Sequence, residues 1–158
     1  STARSEESYV EDCTIETDQP AMIPEPYIDI TAEKIRIYKQ LDGMTSAKEI
    51  DRIKSQLVDR FGEMPLELDN LFDVVKIRNL GGKLGFEKII IKNGMMIMFF
   101  IANQMSPYYK SKVFSGILQN INANDQLFNL KQSEGKLKIV SRGIDSLPKA
   151  LQTLSKLQ

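Results

Sequence analysis

Near Gly85 the hydrophobic pattern of this chain changes period. Upstream, from about Ala32, apolar residues recur every three or four positions, which is the signature of helical faces. Downstream, Phe86-Glu-Lys-Ile-Ile-Ile-Lys92 and Met95-Met-Ile-Met-Phe-Phe-Ile101 are strand-sized runs joined by Asn93-Gly94. That dipeptide readily takes the positive φ angles of a two-residue hairpin turn. Helices first and hairpins afterwards is the order of an α+β fold: an N-terminal antiparallel helical subdomain, then a mostly antiparallel sheet of two hairpins with helices packed on it.

The helical half reads in three segments. The first runs from about Ala32 to Leu41, with Thr31 or Asp29 as its cap and Ile35, Tyr38 and Leu41 on one side. Ser46 caps the second, and Glu49 three residues later completes a capping box. Along this second helix Ile50, Ile53, Leu57 and Phe61 share one face, and Val58 sits at its edge. Asp59 points away from that face, with Lys48, Arg52, Ser55 and Gln56 as neighbours on a polar stripe. Gly62 stops the helix, and Pro65 opens a third that continues to about Gly81. Leu68, Leu71, Phe72, Val75 and Leu80 form its apolar side, and Gly81, Gly82 and Gly85 are expected to close it. Beyond the first hairpin, Pro107 opens a helix from Tyr108 to Asn120. A second hairpin joins Leu127–Gln132 to Lys136–Ser141 across Glu134-Gly135, and a last helix spans Ser146 to Leu157. Hairpin followed by helix occurs twice, as in a weak duplication or a four-stranded sheet with two helices on one face.

Ahead of all this, residues 1–11 are polar and acidic without period, as in a linker. Asp12–Thr17 alternates like an edge strand, and Pro20, Pro24 and Pro26 hold an extended connection anchored by Tyr27 and Ile28. The expected organisation is 1–26 as linker and edge strand, 27–85 as helical subdomain and 86–158 as hairpin-helix-hairpin-helix subdomain, together one compact domain.

Composition narrows the function. Lys and Arg number 21 and Asp and Glu number 21, so the net charge is zero. A domain that lives by phosphate contacts usually has a basic excess, so dedicated nucleic-acid binding is disfavoured. There is no histidine, which removes the commonest general base and metal ligand. Cys13 is the single cysteine, so no internal disulfide forms and no histidine can activate its thiol. No apolar run approaches the roughly 18 residues of a membrane helix. The chain begins with serine and reads as a piece of something longer. Gly81-Gly-Lys-Leu-Gly85 is the nearest approach to a phosphate-binding loop, but it follows a helix and lacks the Ser or Thr after its lysine. No catalytic, cofactor-binding or metal-binding residues are expected. On its residues alone the chain is a non-enzymatic interaction module.

At Leu57-Val-Asp-Arg-Phe-Gly-Glu-Met-Pro65 a family pattern appears. Together with Glu25-Pro-Tyr-Ile28, Ile35-Arg-Ile-Tyr-Lys39, Lys76-Ile-Arg78 and Lys83-Leu-Gly85, it resembles the C-terminal domain of the bacterial transcription-repair coupling factors, the Mfd family. The ordered match covers about Ile15 to Phe86. The resemblance implies that the parent is a cytoplasmic ATP-driven DNA translocase that removes stalled RNA polymerase and recruits UvrA. This monomeric domain would fold back on the UvrB-like module of the same polypeptide, covering the surface that UvrA needs. By position, Asp59 matches an acidic contact site of the family, while Gln56 stands where a second acid belongs; Arg52 and Ser55 flank them on the expected partner-binding face. Two other classes stand beside this one: a nucleic-acid-binding accessory module using Lys83, Lys88, Lys92, Lys110 and Lys112, and a small-molecule enzyme, which would need a deep pocket with perturbed carboxylates.

Overall fold

The computed structural model describes residues 8–158, so most of the linker expected over residues 1–11 lies outside the described residues. The chain divides into a helical unit, residues 19–76, and a sheet unit made of the residues before it and residues 77–158.

In the helical unit, α1 (Thr31–Asp42) and α2 (Ala47–Phe61) precede α3 (Leu66–Leu84), whose last turns belong to the sheet unit. Ile37, Leu41, Ile50, Ile53, Leu57, Leu68, Phe72 and Val75 form one buried cluster with Ile23, Ile28 and Met44. The buried side of α1 is therefore Ile37 and Leu41, four residues apart, and the expected Ile35 is 48% exposed. Tyr38 is also at the surface; its hydroxyl accepts a hydrogen bond from the Ile23 amide at 2.9 Å, so the ring serves the connecting segment. Neither Thr31 nor Asp29 caps α1: the cap position is Ile30, with no side-chain bond. Ion pairs Lys54–Asp69 (2.6 Å) and Lys76–Asp51 (2.8 Å) brace α2 against α3. Both are solvent-accessible, so each adds at most about 1 kcal/mol to a unit held chiefly by its apolar cluster.

Among the described residues the sheet unit has five strands, in the order β1-β2-β3-β5-β4. They are β1 (Thr14–Thr17), β2 (Phe86–Lys92), β3 (Met95–Phe100), β4 (Asn129–Ser133) and β5 (Lys136–Arg142). Two antiparallel hairpins meet where β3 pairs with β5, and β1 adds a fifth strand, parallel to β2, to the four that hairpins alone would supply. Ile89, Ile91, Met96, Met98, Phe100 and Ile139 point to the buried side, each 3% exposed or less. Phe100 packs on Phe86 and on Phe114 of α4 (Lys112–Ala123), with ring centroids 4.9 and 5.5 Å apart. The last helix, α5 (Leu147–Ser155), buries Leu147, Ala150, Thr153 and Leu154.

Two expectations about helix ends are corrected. The helix expected from Tyr108 begins as a separate 3-10 turn, Pro107–Lys110, and α4 starts only at Lys112. Ser111 separates them: its backbone is extended, and its hydroxyl accepts from the Phe114 amide at 3.2 Å, capping α4 afresh. Gly81 and Gly82 lie inside α3 and do not close it. Gly81 is small for a packing reason, since a Cβ there would stand 2.8 Å from Ile89 Cδ1 and 3.0 Å from Cys13 Sγ. Gly85 alone makes the corner into β2, at φ +94°. A Cβ on it would fall 2.1 Å from Cε1 of the buried Tyr108 ring.

Gly85→Ala is accordingly expected to cost at least about 3 kcal/mol, combining a left-handed backbone with a clash against a ring that cannot move. Gly116→Ala, in α4 with open space around its Cα, is expected to stabilise by about 0.5–1 kcal/mol. Urea unfolding followed by circular dichroism measures both, and equal midpoints for the two variants would contradict this account of the corner.

Candidate partner-binding site

Helix α2 carries the four candidate residues, Arg52, Ser55, Gln56 and Asp59. Ser46 Oγ accepts from the Glu49 amide at 3.4 Å and fixes its start. Tyr27 fixes its end, donating from its hydroxyl to the Leu57 carbonyl at 3.1 Å and the Gly62 carbonyl at 2.8 Å, with its ring tilted against Phe61. With Ile50, Ile53 and Leu57 buried, the helix cannot rotate without exposing them. Arg52, Ser55, Gln56 and Asp59 are thereby all held in solvent, and the structure brings the four together on one stripe.

The electrostatics around Asp59 are decided by its neighbour. In a solvated helix face the natural partner of Asp59 would be Arg60 or Arg52. Instead, the Arg60 guanidinium bonds Glu33 of α1 at 2.7 Å and lies over the Phe61 ring, 4.8 Å from its centroid. Arg36 holds the same carboxylate at 2.6 Å. Hydrogen bonds from Arg36 first, and from Arg60 second, keep the Glu33 carboxyl below its ordinary value of 4.5. Among the described residues no hydrogen bond or ion pair engages the side chain of Asp59, Arg52, Ser55 or Gln56. The face therefore offers an uncommitted carboxylate, a guanidinium, a hydroxyl and an amide, which suits recognition of a charged surface.

Groups suited to chemistry are dispersed. Among the described residues no three His, Cys, Asp or Glu side chains stand close enough to hold a metal ion. Cys13 is buried and its thiol is pushed up to about 12, first by burial and then by Asp12. Asp73 of α3 is raised by burial, yet it lines neither of two shallow clefts in the sheet unit. Among the described residues no helix is long and apolar enough to cross a membrane.

The lysines of the nucleic-acid alternative are scattered: Lys83 ends α3, Lys110 is in the 3-10 turn and Lys112 starts α4. Lys88 and Lys92 do share one side of the sheet, and pairing places Lys131, Lys136, Lys138 and Arg142 on that side too. The sequence reading passed over these four. The alternation of Lys136 and Lys138 with Leu137 and Ile139 was the signal available.

Comparison with known proteins places the fold in a lineage. The TRCF domain model matches residues 17–111, more than half of the chain. The chain belongs to the TRCF domain family. Among curated relatives, the transcription-repair-coupling factor of Rickettsia typhi is 33% identical over 103 residues, covering 65% of this chain and 9% of that protein. Its Escherichia coli K12 counterpart is 29% identical over 94 residues, covering 59% of this chain and 8% of that protein. The chain thus spans under a tenth of these TRCF proteins. A crystal structure of the C-terminal domain of transcription-repair coupling factor superposes with a TM-score of 0.73 at 17% identity, covering 92% of this chain and 89% of that one. At that identity the match speaks for the fold, and the α+β arrangement of helices followed by a mostly antiparallel sheet is the one it shares.

The double grip on Glu33 sets a pH dependence. A carboxyl held below its ordinary value contributes stability above about 4.5, and that contribution is lost as pH falls through the lower folded value. Arg36→Ala is expected to raise the Glu33 pKa toward 4.5. Carboxyl-carbon NMR titration reads this directly, and an unmoved Glu33 curve would remove Arg36 from the arrangement.

Proposed function

We propose that this chain is the regulatory C-terminal domain of a longer transcription-repair coupling factor and acts by docking, without catalysing a reaction itself. The parent is a cytoplasmic ATP-driven DNA translocase acting on stalled RNA polymerase. In it, the outer face of α2 closes on the UvrB-like module of the same polypeptide and masks the surface that UvrA needs.

One observation carries this reading. Asp59 is exposed, on a helix locked in rotation, and the arginine beside it is already committed to Glu33. A carboxylate kept free in this way is available to a cationic partner. Exposed ionic contacts are weak, on the order of 1 kcal/mol each. Within one polypeptide that is enough, because tethering raises the partner's effective concentration to the millimolar range for short flexible linkers. Weak closure is also what a reversible clamp requires, since the motor must open it on engaging its substrate. Gln56, one turn before Asp59, keeps hydrogen-bonding capacity without charge, so the contact rests on a single anion flanked by neutral donors and acceptors.

Calorimetry of this chain with the isolated UvrB-like module, with UvrA as competitor, tests the proposal. Binding should weaken with salt and disappear when UvrA is added. Asp59→Ala should lower the affinity roughly fivefold while leaving the unfolding midpoint unchanged, and Gln56→Glu should raise it by a similar or smaller factor. Affinity indifferent to both substitutions would refute the α2 face as the contact.

A further inference from the structure

The two sides of the sheet differ in charge. On the side that is buried, apart from Glu87 at the irregularity in β2, no strand residue is charged: Ile89, Met98 and Ile139 are typical. On the other side the register aligns Thr14, Lys88, Phe99, Lys138 and Lys131 in one row across all five strands. The next row, about 7 Å away, is apolar in its middle, with Ile90, Ile97 and Val140. The row after that brings Lys92 and Arg142 to either side of Met95, and the Arg142 guanidinium lies 3.1 Å from the Met95 sulfur. Lys136 adds a further cation beyond the first row. Six cations thus surround an aromatic and aliphatic strip, against two strand carboxylates: Glu16, which pairs with Lys88 at 3.4 Å, and Glu87, which accepts from the Ala102 amide at 2.8 Å at the edge of the same cleft.

Three details separate this face from an ordinary solvated one. Lys131 and Lys138 stand directly opposite each other, a cross-strand pairing of like charges that destabilises a sheet unless an anion lies between them. Phe99, at the centre of the row, is only partly buried, and Lys138 Nζ sits 5.7 Å from its ring centroid. Finally, Lys88, Phe99 and Lys136 share the lining of an open cleft of about 310 Å³, at the lower end of the range for small-ligand sites.

We propose that this face binds a single strand of nucleic acid, with a base stacked on Phe99 and phosphates on the lysine rows. The charge calls for a polyanion, and the ring in the middle of it selects one that carries flat, unpaired bases. Bases within a duplex are already stacked on each other and cannot reach Phe99, whereas those of a single strand can. An acidic peptide would satisfy the lysines and leave the ring unused. The face shares no residue with α2, so it stands or falls independently of the clamp.

Fluorescence anisotropy of the full chain with labelled oligo-dT and oligo-U of about twelve nucleotides tests this. At about 50 mM salt the dissociation constant should fall between roughly 1 and 100 µM, and it should rise about twentyfold by about 200 mM. Phe99→Leu keeps an apolar side chain but removes the stacking surface, and should weaken binding roughly tenfold with the salt slope unchanged. Lys131→Gln combined with Lys138→Gln should instead lower that slope by about 1.4, while raising the unfolding midpoint because a like-charge pair is gone. Binding of either oligonucleotide upholds the proposal, and their ratio reports sensitivity to the 2′-hydroxyl. Three results would overturn it: no binding at low salt, equal affinity for a blunt duplex or a poly-glutamate peptide, or affinity unaffected by Phe99→Leu.

Discussion

The hydroxyl of Tyr108 donates to the Leu84 carbonyl at 2.6 Å, and its ring occupies the space that any side chain on residue 85 would need. This contact sets the corner at which helix α3 becomes strand β2. Phe100, Tyr109 and Phe114 surround the ring, with centroids 5.2 to 6.3 Å away, and Tyr9 meets it edge-on. Burial, the largest influence on this phenol, raises its pKa well above the ordinary value, so the ring stays a neutral hydrogen-bond donor. From this corner β2 is aimed to pair with β3 on one side and β1 on the other. Every strand contact that organises the two sheet faces follows from it.

Much of this was legible in the residues, and the failures have physical reasons. Asn93-Gly94 and Glu134-Gly135 located both hairpins because turn backbones accept so few residue types. The stripe of Ile50, Ile53 and Leu57 placed α2 and turned Asp59 outward without any tertiary information. For α1 the same logic chose the wrong side. Ile35, Ile37, Tyr38 and Leu41 allow two overlapping stripes, and only packing against the rest of the helical cluster decides between them. Gly81 was read as a helix stop, but it is a point of close approach to Ile89 and Cys13, which adjacent residues do not reveal. The fifth strand was visible as an alternation over 12–17, though its partner, more than seventy positions away in sequence, was not.

The candidate sites differ in the same respect. The α2 face is local: four positions on one helix, found by counting around it. The cationic sheet face is assembled by register from four strands, and a summed charge of zero conceals it. Net charge is an average over a surface, whereas a bound phosphate responds to the few cations within about one Debye length. Acids of the helical unit have cations of their own: Glu33 is held by Arg36 and Arg60, Asp51 by Lys76 and Asp69 by Lys54. The sheet lysines have far fewer such partners.

The parallel pairing of β1 with β2 makes the helical unit an insertion: residues 19–76 leave the sheet unit after one strand and return before the next. Bringing Thr14 to Lys88 across an unfolded connection carries the full loop-closure entropy of everything between them. If the three helices fold first, the free connection shortens to residues 18–30 and the corner at Gly85, and the penalty shrinks with it. The order of assembly that follows is local helices, then the β2-β3 hairpin and its neighbours, and β1 last. A strand that docks last is also the one that opens first, so the edge formed by residues 14–17 is where local opening of the sheet unit begins.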